Sequence, residues 1–165
     1  MLDVVLINPQ IATNTGNIIR LCANAGARLH LVEPLGFELT DSRLKRAGLD
    51  YHELTSVSVH ADWPTCRAAL GEHRRVLATC GKAPLRYDHA NFREDDVVVF
   101  GCEPDGLPED ISKGLTTIRI PMRPDNRSLN LANAVAVVVY EAWRQHDFAG
   151  GAFGTFAESI GEASG

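Results

Sequence analysis

The sequence predicts an α/β fold: a mainly parallel sheet with helices on both faces. Short β-branched runs recur along the chain, helical patterns separate several of them, and turn residues punctuate the joins. The runs are "VVLIN" near the start, "LHLVEP", "VSVH", "VLATC", "VVVFG" and "TIRIP". With 165 residues, 45% hydrophobic and 22% charged, the chain has the make-up of one globular domain with a sizeable core.

Taken in order, the first helix has Asn14 or Thr15 to cap its start and Gly26 to end it, with "IIRLCANA" between. Ile18, Leu21, Cys22 and Ala25 follow helical spacing and form the buried face. Asn17, Arg20 and Asn24 share the opposite face. Spacing alone reads them as solvated, whereas two mediocre helix formers beside an arginine suggest hydrogen-bonding work. Further on, "SRLKRAG" gathers Arg43, Lys45 and Arg46, a solvated helix face or a binding patch.

Two strand ends run into turn-rich loops, "GKAP" after "VLATC" and "CEPDGLP" after "VVVFG". Ligands of open parallel sheets sit in such loops, beyond the carboxyl ends of strands. Neither is a phosphate cradle, since no GxGxxG opens a helix and no GxxxxGK[ST] occurs. This leaves a dinucleotide enzyme or a P-loop enzyme without support.

The last helix is expected from Ser128 to Arg144, within "RSLNLANAVAVVVYEAWRQ". Asn126, Asn130, Asn133, Val137, Glu141 and Arg144 fall on one stripe, and the rest is apolar, so most of its circumference is buried in the core or against a second subunit. Ser128 either caps this helix or, with the free N–H groups of the first turn, meets an anionic ligand. Residues 148–165, Phe148 followed by "AGGAFGTFAESIGEASG", read as a mobile tail, with Phe148, Phe153 and Phe156 available to dock it.

Composition excludes some classes. The net charge of −5 is a poor footprint for nucleic acid, although basic and acidic residues balance over the first 75 residues and the deficit lies beyond them. No apolar run approaches a membrane span and no basic leader opens the chain, so a soluble cytoplasmic protein is expected. Four cysteines, Cys22, Cys66, Cys80 and Cys102, show no CxxC pairing and no histidine at metal-motif spacing. Reduced core thiols and no metal are the expectation.

Three segments read together resemble the SPOUT, or α/β-knot, superfamily of RNA methyltransferases. "NPQIATNTGNIIRLCANAG" is similar to its first motif, "VVVFGCEPDGLP" to its second and "IRIPMRPDNRSLNLANAVAVVVYEAWRQ" to its third. Spacing and length resemble the members that methylate the ribose 2′-hydroxyl of the wobble nucleotide in the tRNA anticodon, cytidine or modified uridine. The likeness covers nearly all of residues 1–147, taken as one domain. It implies a deep C-terminal trefoil knot, a homodimer, tRNA as partner and S-adenosylmethionine as methyl donor.

Carried over by position, the resemblance implies cofactor contacts at Thr79, Gly101, Glu103, Ile120 and Ser128. It implies catalytic roles for Arg20, Ser128 and Asn130, and substrate contacts from Asn14, Asn17, Arg20, Arg43 and Arg46. Ala12 stands where members commonly have proline, and "CEPD" replaces "PETR", so Asp105 takes the place of a basic residue. Arginine stays protonated, so Arg20 is expected to hold a phosphate or a developing alkoxide rather than to act as base. Ribosomal RNA as substrate, or a non-catalytic dimeric RNA-binding module, are the alternatives. The chain carries no extra RNA-binding domain, which favours a small exposed target such as an anticodon loop. Arg28, just past the first helix, is expected to tolerate alanine.

Overall fold

Each expected strand run forms a strand, and every ladder between the strands is parallel. The computed structural model describes residues 2–39, 57–102, 106–126 and 128–152. Among these described residues the strands are β1 (Asp3–Ile7), β2 (Arg28–Val32), β3 (Val57–His60), β4 (Val76–Thr79), β5 (Leu85–Arg86), β6 (Val97–Phe100) and β7 (Thr116–Arg119). They form one seven-stranded sheet in the order β3-β2-β1-β6-β4-β7-β5. The unexpected strand is β5, whose two residues are too few to show a period of two.

Successive side chains of a strand face opposite sides, and both sides of this sheet are apolar. Val4, Leu6, Leu29, Leu31, Leu77, Val98, Phe100 and Ile118 point to one face. There α1 (Ala12–Ala25) packs against α4 (Leu131–Gln145), although the two are far apart in sequence. Val5, Ile7, Val32, Val76, Val97 and Val99 face the other way, towards Cys66 and Leu70 of α2 (Trp63–Leu70). The short α3 (Glu109–Ser112) follows β6.

Helix starts differ from expectation. Ile11 is the N-cap of α1 and makes no side-chain cap, while Asn14 and Thr15 lie buried within the first turn. The Thr15 hydroxyl donates to the Ile11 carbonyl at 3.3 Å. Gly26 ends the helix as expected, at φ 69, a left-handed conformation that glycine adopts without steric cost. The buried stripe takes in Ile19, and Leu21 and Ala25 are only half-buried. Helix α4 begins at Leu131 rather than Ser128, because Asn130 caps it. Asn133, Val137 and Arg144 are exposed on it, and Arg144 holds Glu141 at 2.8 Å. Past its end Phe148 meets the Trp143 ring edge-on and the indole donates to the Ala149 carbonyl at 3.0 Å, so the chain folds back here. Phe153 and Phe156 lie outside the described residues.

Asp3 is fully buried and ionic. Arg28 grips it with two bonds of 2.8 and 2.6 Å, Arg74 donates to it, and His30 Nε2 lies 2.8 Å away. Burial pushes its carboxyl up, but the hydrogen bonds from His30, Arg28 and Arg74 outweigh that and hold it well below the usual carboxylate range. Arg28 is exposed as expected, but its pairing with a buried charge argues against the expected tolerance of alanine there. The thiols also need revision. Cys22 and Cys66 are buried, and burial pushes both up to about 12, but Cys80 is exposed and Cys102 half-buried. No helix among the described residues is long and apolar enough to cross a membrane.

Candidate active site

The carboxyl ends of β4, β6 and β7 open into a cavity of about 440 Å³. Thr79, Cys80 and Gly81 form one wall and Phe100, Gly101, Cys102, Gly106 and Leu107 a second. Ile118 to Ile120 with Met122 supply a third, and Ser128 to Leu131 close it against α4. Four separate stretches thus meet where an open parallel sheet ordinarily binds its ligand.

Local geometry explains why these residue types stand here. A Cβ on Gly101 would lie 2.0 Å from the backbone of Gly106 and Leu107, so only glycine lets the loop close on itself. Gly106, at φ 76, makes the turn and its N–H donates to the Cys102 carbonyl at 2.8 Å. The Thr79 hydroxyl donates to the Val99 carbonyl at 3.0 Å, leaving the oxygen's lone pairs to accept from a ligand. Among the described lining residues the only charged side chain is Arg119.

Asn130 joins this cavity to α1. Its Oδ1 accepts from the Ala132 N–H at 2.9 Å, which identifies the oxygen and leaves Nδ2 to donate to Asn14 Oδ1 at 3.0 Å. The entry to α1 is pinned as well. Asn8 Nδ2 donates to the Glu33 carbonyl at 2.7 Å, and the Gly36 N–H donates to the Pro9 carbonyl at 2.9 Å. Gly36 approaches so closely that a Cβ would lie 2.7 Å from Gln10 Cα.

The structure therefore brings Thr79, Gly101, Ile120, Ser128 and Asn130 into one cavity, with Asn14 bonded to its rim. Ser128 is exposed there and is not the cap of α4. Asn17 and Arg20 are exposed on α1 and do not line the cavity. Arg20 follows Asn14 by six residues, about 9 Å along the axis. Glu103, Arg43 and Arg46 lie outside the described residues. Arg119, Leu107, Met122 and the two cysteines Cys80 and Cys102 were not anticipated as lining. Their position just past strand ends was the signal available.

The sequence matches the SpoU rRNA Methylase family over residues 1–140. The chain belongs to the SpoU methylase family. Among its relatives is the tRNA (cytidine(34)-2'-O)-methyltransferase of Methylovorus glucosotrophus (strain SIP3-4), 58% identical over 153 residues, covering 91% of this chain and 99% of the relative. The protein of the same name from Escherichia coli (strain K12) is 50% identical over 153 residues, covering 91% and 97%. A solved structure described as giving insight into the 2-OH methylation of C/U34 on tRNA superposes with a TM-score of 0.84 at 43% identity, covering 90% of this chain and 97% of that one. The SpoU methyltransferase AviRb from Streptomyces viridochromogenes, in complex with the cofactor AdoMet, matches with a TM-score of 0.75 at 26% identity, covering 92% and 59%.

Proposed function

We propose that this SpoU family chain is an S-adenosylmethionine-dependent tRNA methyltransferase that modifies the ribose 2′-hydroxyl of wobble nucleotide 34, cytidine or modified uridine. The observation that carries the reading is the junction of two motifs: the cavity at the strand ends is hydrogen-bonded, through Asn130 and Asn14, to the helix that presents Arg20. High identity over almost the full length of the tRNA-modifying relatives supports the choice of substrate.

The residues present suit the cofactor. About 440 Å³ lies in the range of small-molecule sites, its apolar walls suit an adenine ring, and backbone groups at Thr79, Gly101 and Ile120 offer donors and acceptors. Bound there, S-adenosylmethionine supplies an electrophilic methyl group on a sulfonium centre. Ser128 and Asn130, at the cavity mouth, position the ribose so that its oxygen lies in line with the transferred group. Asn14 fixes the Asn130 amide, making it a positioning residue. Arg20 holds a target phosphate or the developing alkoxide by a charge-assisted hydrogen bond. Asn17 joins it in gripping the RNA, with Arg43, Arg46 and Glu103 assigned to substrate and cofactor by position in the motifs. No step in this scheme calls for a metal.

Several structural elements belong to the same proposal. The C-terminal part of the domain forms a deep trefoil knot, a reading supported by the way Ile120, Met122 and Ser128 to Asn130 line one cavity with the loops after β4 and β6. Residues 1–147 form the single catalytic domain and 148–165 its tail. The active form is a homodimer in the cytoplasm, where Leu129, Val137 and Tyr140, large apolar side chains left exposed around α4, supply the surface for a second copy. Isothermal titration with S-adenosylmethionine tests the cofactor site: one equivalent per chain is expected, and no heat at millimolar cofactor rejects it.

A further inference from the structure

A second group of ligand-type side chains lies on the opposite face of the sheet from α1 and α4. His30 stands in the middle of β2, His60 ends β3, and Cys66 is buried on α2. The ladder sets Val32 beside His60 and His30 beside Ser58, so the two imidazoles are diagonal neighbours on one face. Their rings stack with centroids 5.2 Å apart, and His30 Nδ1 lies 2.9 Å from His60 Nε2. One ligand atom from each of His30, His60 and Cys66 falls within 4.8 Å of the others.

The partner behind His30 decides what this cluster can do. Asp3 Oδ1 lies 2.8 Å from His30 Nε2, and Arg28 and Arg74 keep that carboxylate ionised and accepting only. Nε2 therefore carries a proton towards Asp3, and Nδ1 faces His60 Nε2 at 2.9 Å. A carboxylate that fixes the tautomer of an imidazole in this way is the usual outer support of a metal-ligating histidine. Two nitrogens bound tetrahedrally at about 2.0–2.1 Å sit roughly 3.3 Å apart, a little wider than the 2.9 Å found here.

We propose that His30 Nδ1, His60 Nε2 and Cys66 Sγ bind one zinc-class divalent cation, with the fourth position open to water beside the half-buried His60. Two imidazoles and a thiolate select a borderline metal over calcium or magnesium. On binding, the Cys66 thiol gives its proton to solvent, and the proton lying between His30 Nδ1 and His60 Nε2 is displaced to His60 Nδ1 or to solvent, so that both nitrogens present lone pairs to the ion. The ion ties edge strand β3 and helix α2 to β2. The site is three strand spacings from β4, about 14 Å, and acts on stability rather than on the cavity chemistry. Chain spacing gave no sign of it, because the sheet register and α2 bring its ligands together.

The test uses the full-length chain without an affinity tag, stripped by a chelator and titrated with cobalt(II), then zinc(II). The expected result is one cobalt per chain with tetrahedral visible bands and a thiolate charge-transfer band, all bleached by zinc, and a higher Tm with zinc present. Cys66→Ser abolishes the charge-transfer band. His60→Asn, at a partly exposed position that leaves the core intact, weakens binding by more than the roughly 10–100-fold that outer-shell changes cost. Cys80→Ser with Cys102→Ser leaves the spectrum in place. No tetrahedral spectrum in the unaltered chain overturns the proposal, and so does a band that survives Cys66→Ser or disappears with Cys80 and Cys102.

Discussion

Asn130 and Asn14, 116 residues apart in sequence, are joined by a 3.0 Å hydrogen bond while Asn130 also caps α4. One amide thus sets the start of the last helix and its seat on the first. Asn130→Ala should cost about 1 kcal/mol for the lost cap and a further 1–3 kcal/mol for the buried Asn14 amide deprived of this bond. Asn130→Asp keeps the cap, and rotation of the Asn14 amide restores a donor. Thermal melts should rank wild type, then Asp, then Ala. Equal Tm values for Asp and Ala would show that the Asn14 bond adds nothing.

Arg20→Ala should slow single-turnover methylation of unmodified tRNA about tenfold to a hundredfold, the equivalent of roughly 1.5–3 kcal/mol for a charge-assisted hydrogen bond. Cofactor affinity should not change, since Arg20 does not line the cavity. Lys113, exposed beyond α3, is the control, and its alanine variant should stay within about 0.5 kcal/mol of wild-type stability. Near wild-type turnover by Arg20→Ala would leave the exposed face of α1 merely solvated.

Two glycines of the cavity separate close approach from open space. Gly101→Ala drives a Cβ into the Gly106–Leu107 backbone, whereas a Cβ on Gly81 meets nothing within 4 Å. Titration with S-adenosylmethionine should therefore show binding lost or strongly weakened in Gly101→Ala and kept in Gly81→Ala. The clash distorts the wall itself, so even the smallest side chain suffices. Unchanged affinity in Gly101→Ala would move the cofactor elsewhere.

The strands and the long helices were legible because β-branched runs and apolar stripes report burial directly. The helix starts were not. Local capping chemistry favoured Asn14 and Ser128, but Asn14 was taken by a partner 116 residues away and Asn130 outbid Ser128 for the cap. Thr79, Gly101, Ile120, Ser128 and Asn130 could be placed together because motif resemblance carries three-dimensional information that spacing lacks. Arg28 misled for the opposite reason. Its position past a helix looked like surface, and only the register Asp3↔Arg28 puts it on a buried carboxylate.

That carboxylate gives a stability prediction independent of function. Asp3→Asn removes the charge facing Arg28 and the largely buried Arg74, and breaking a buried ionic group in this way costs about 3–5 kcal/mol. Arg28→Ala should cost less, about 1–2 kcal/mol, because Arg74 and His30 still hold Asp3. Urea unfolding measures both. An Asp3→Asn cost below that of Arg28→Ala would contradict the network as described.

Methyl transfer to nucleotide 34 is the central claim, and mapping the product tests it most directly. Purified chain is incubated with unmodified tRNA and S-adenosylmethionine, and ribose methylation is read at single-nucleotide resolution. A 2′-O-methyl group at position 34, dependent on Arg20, is the predicted result. Methylation at another position, or none by a chain that binds the cofactor, would contradict it.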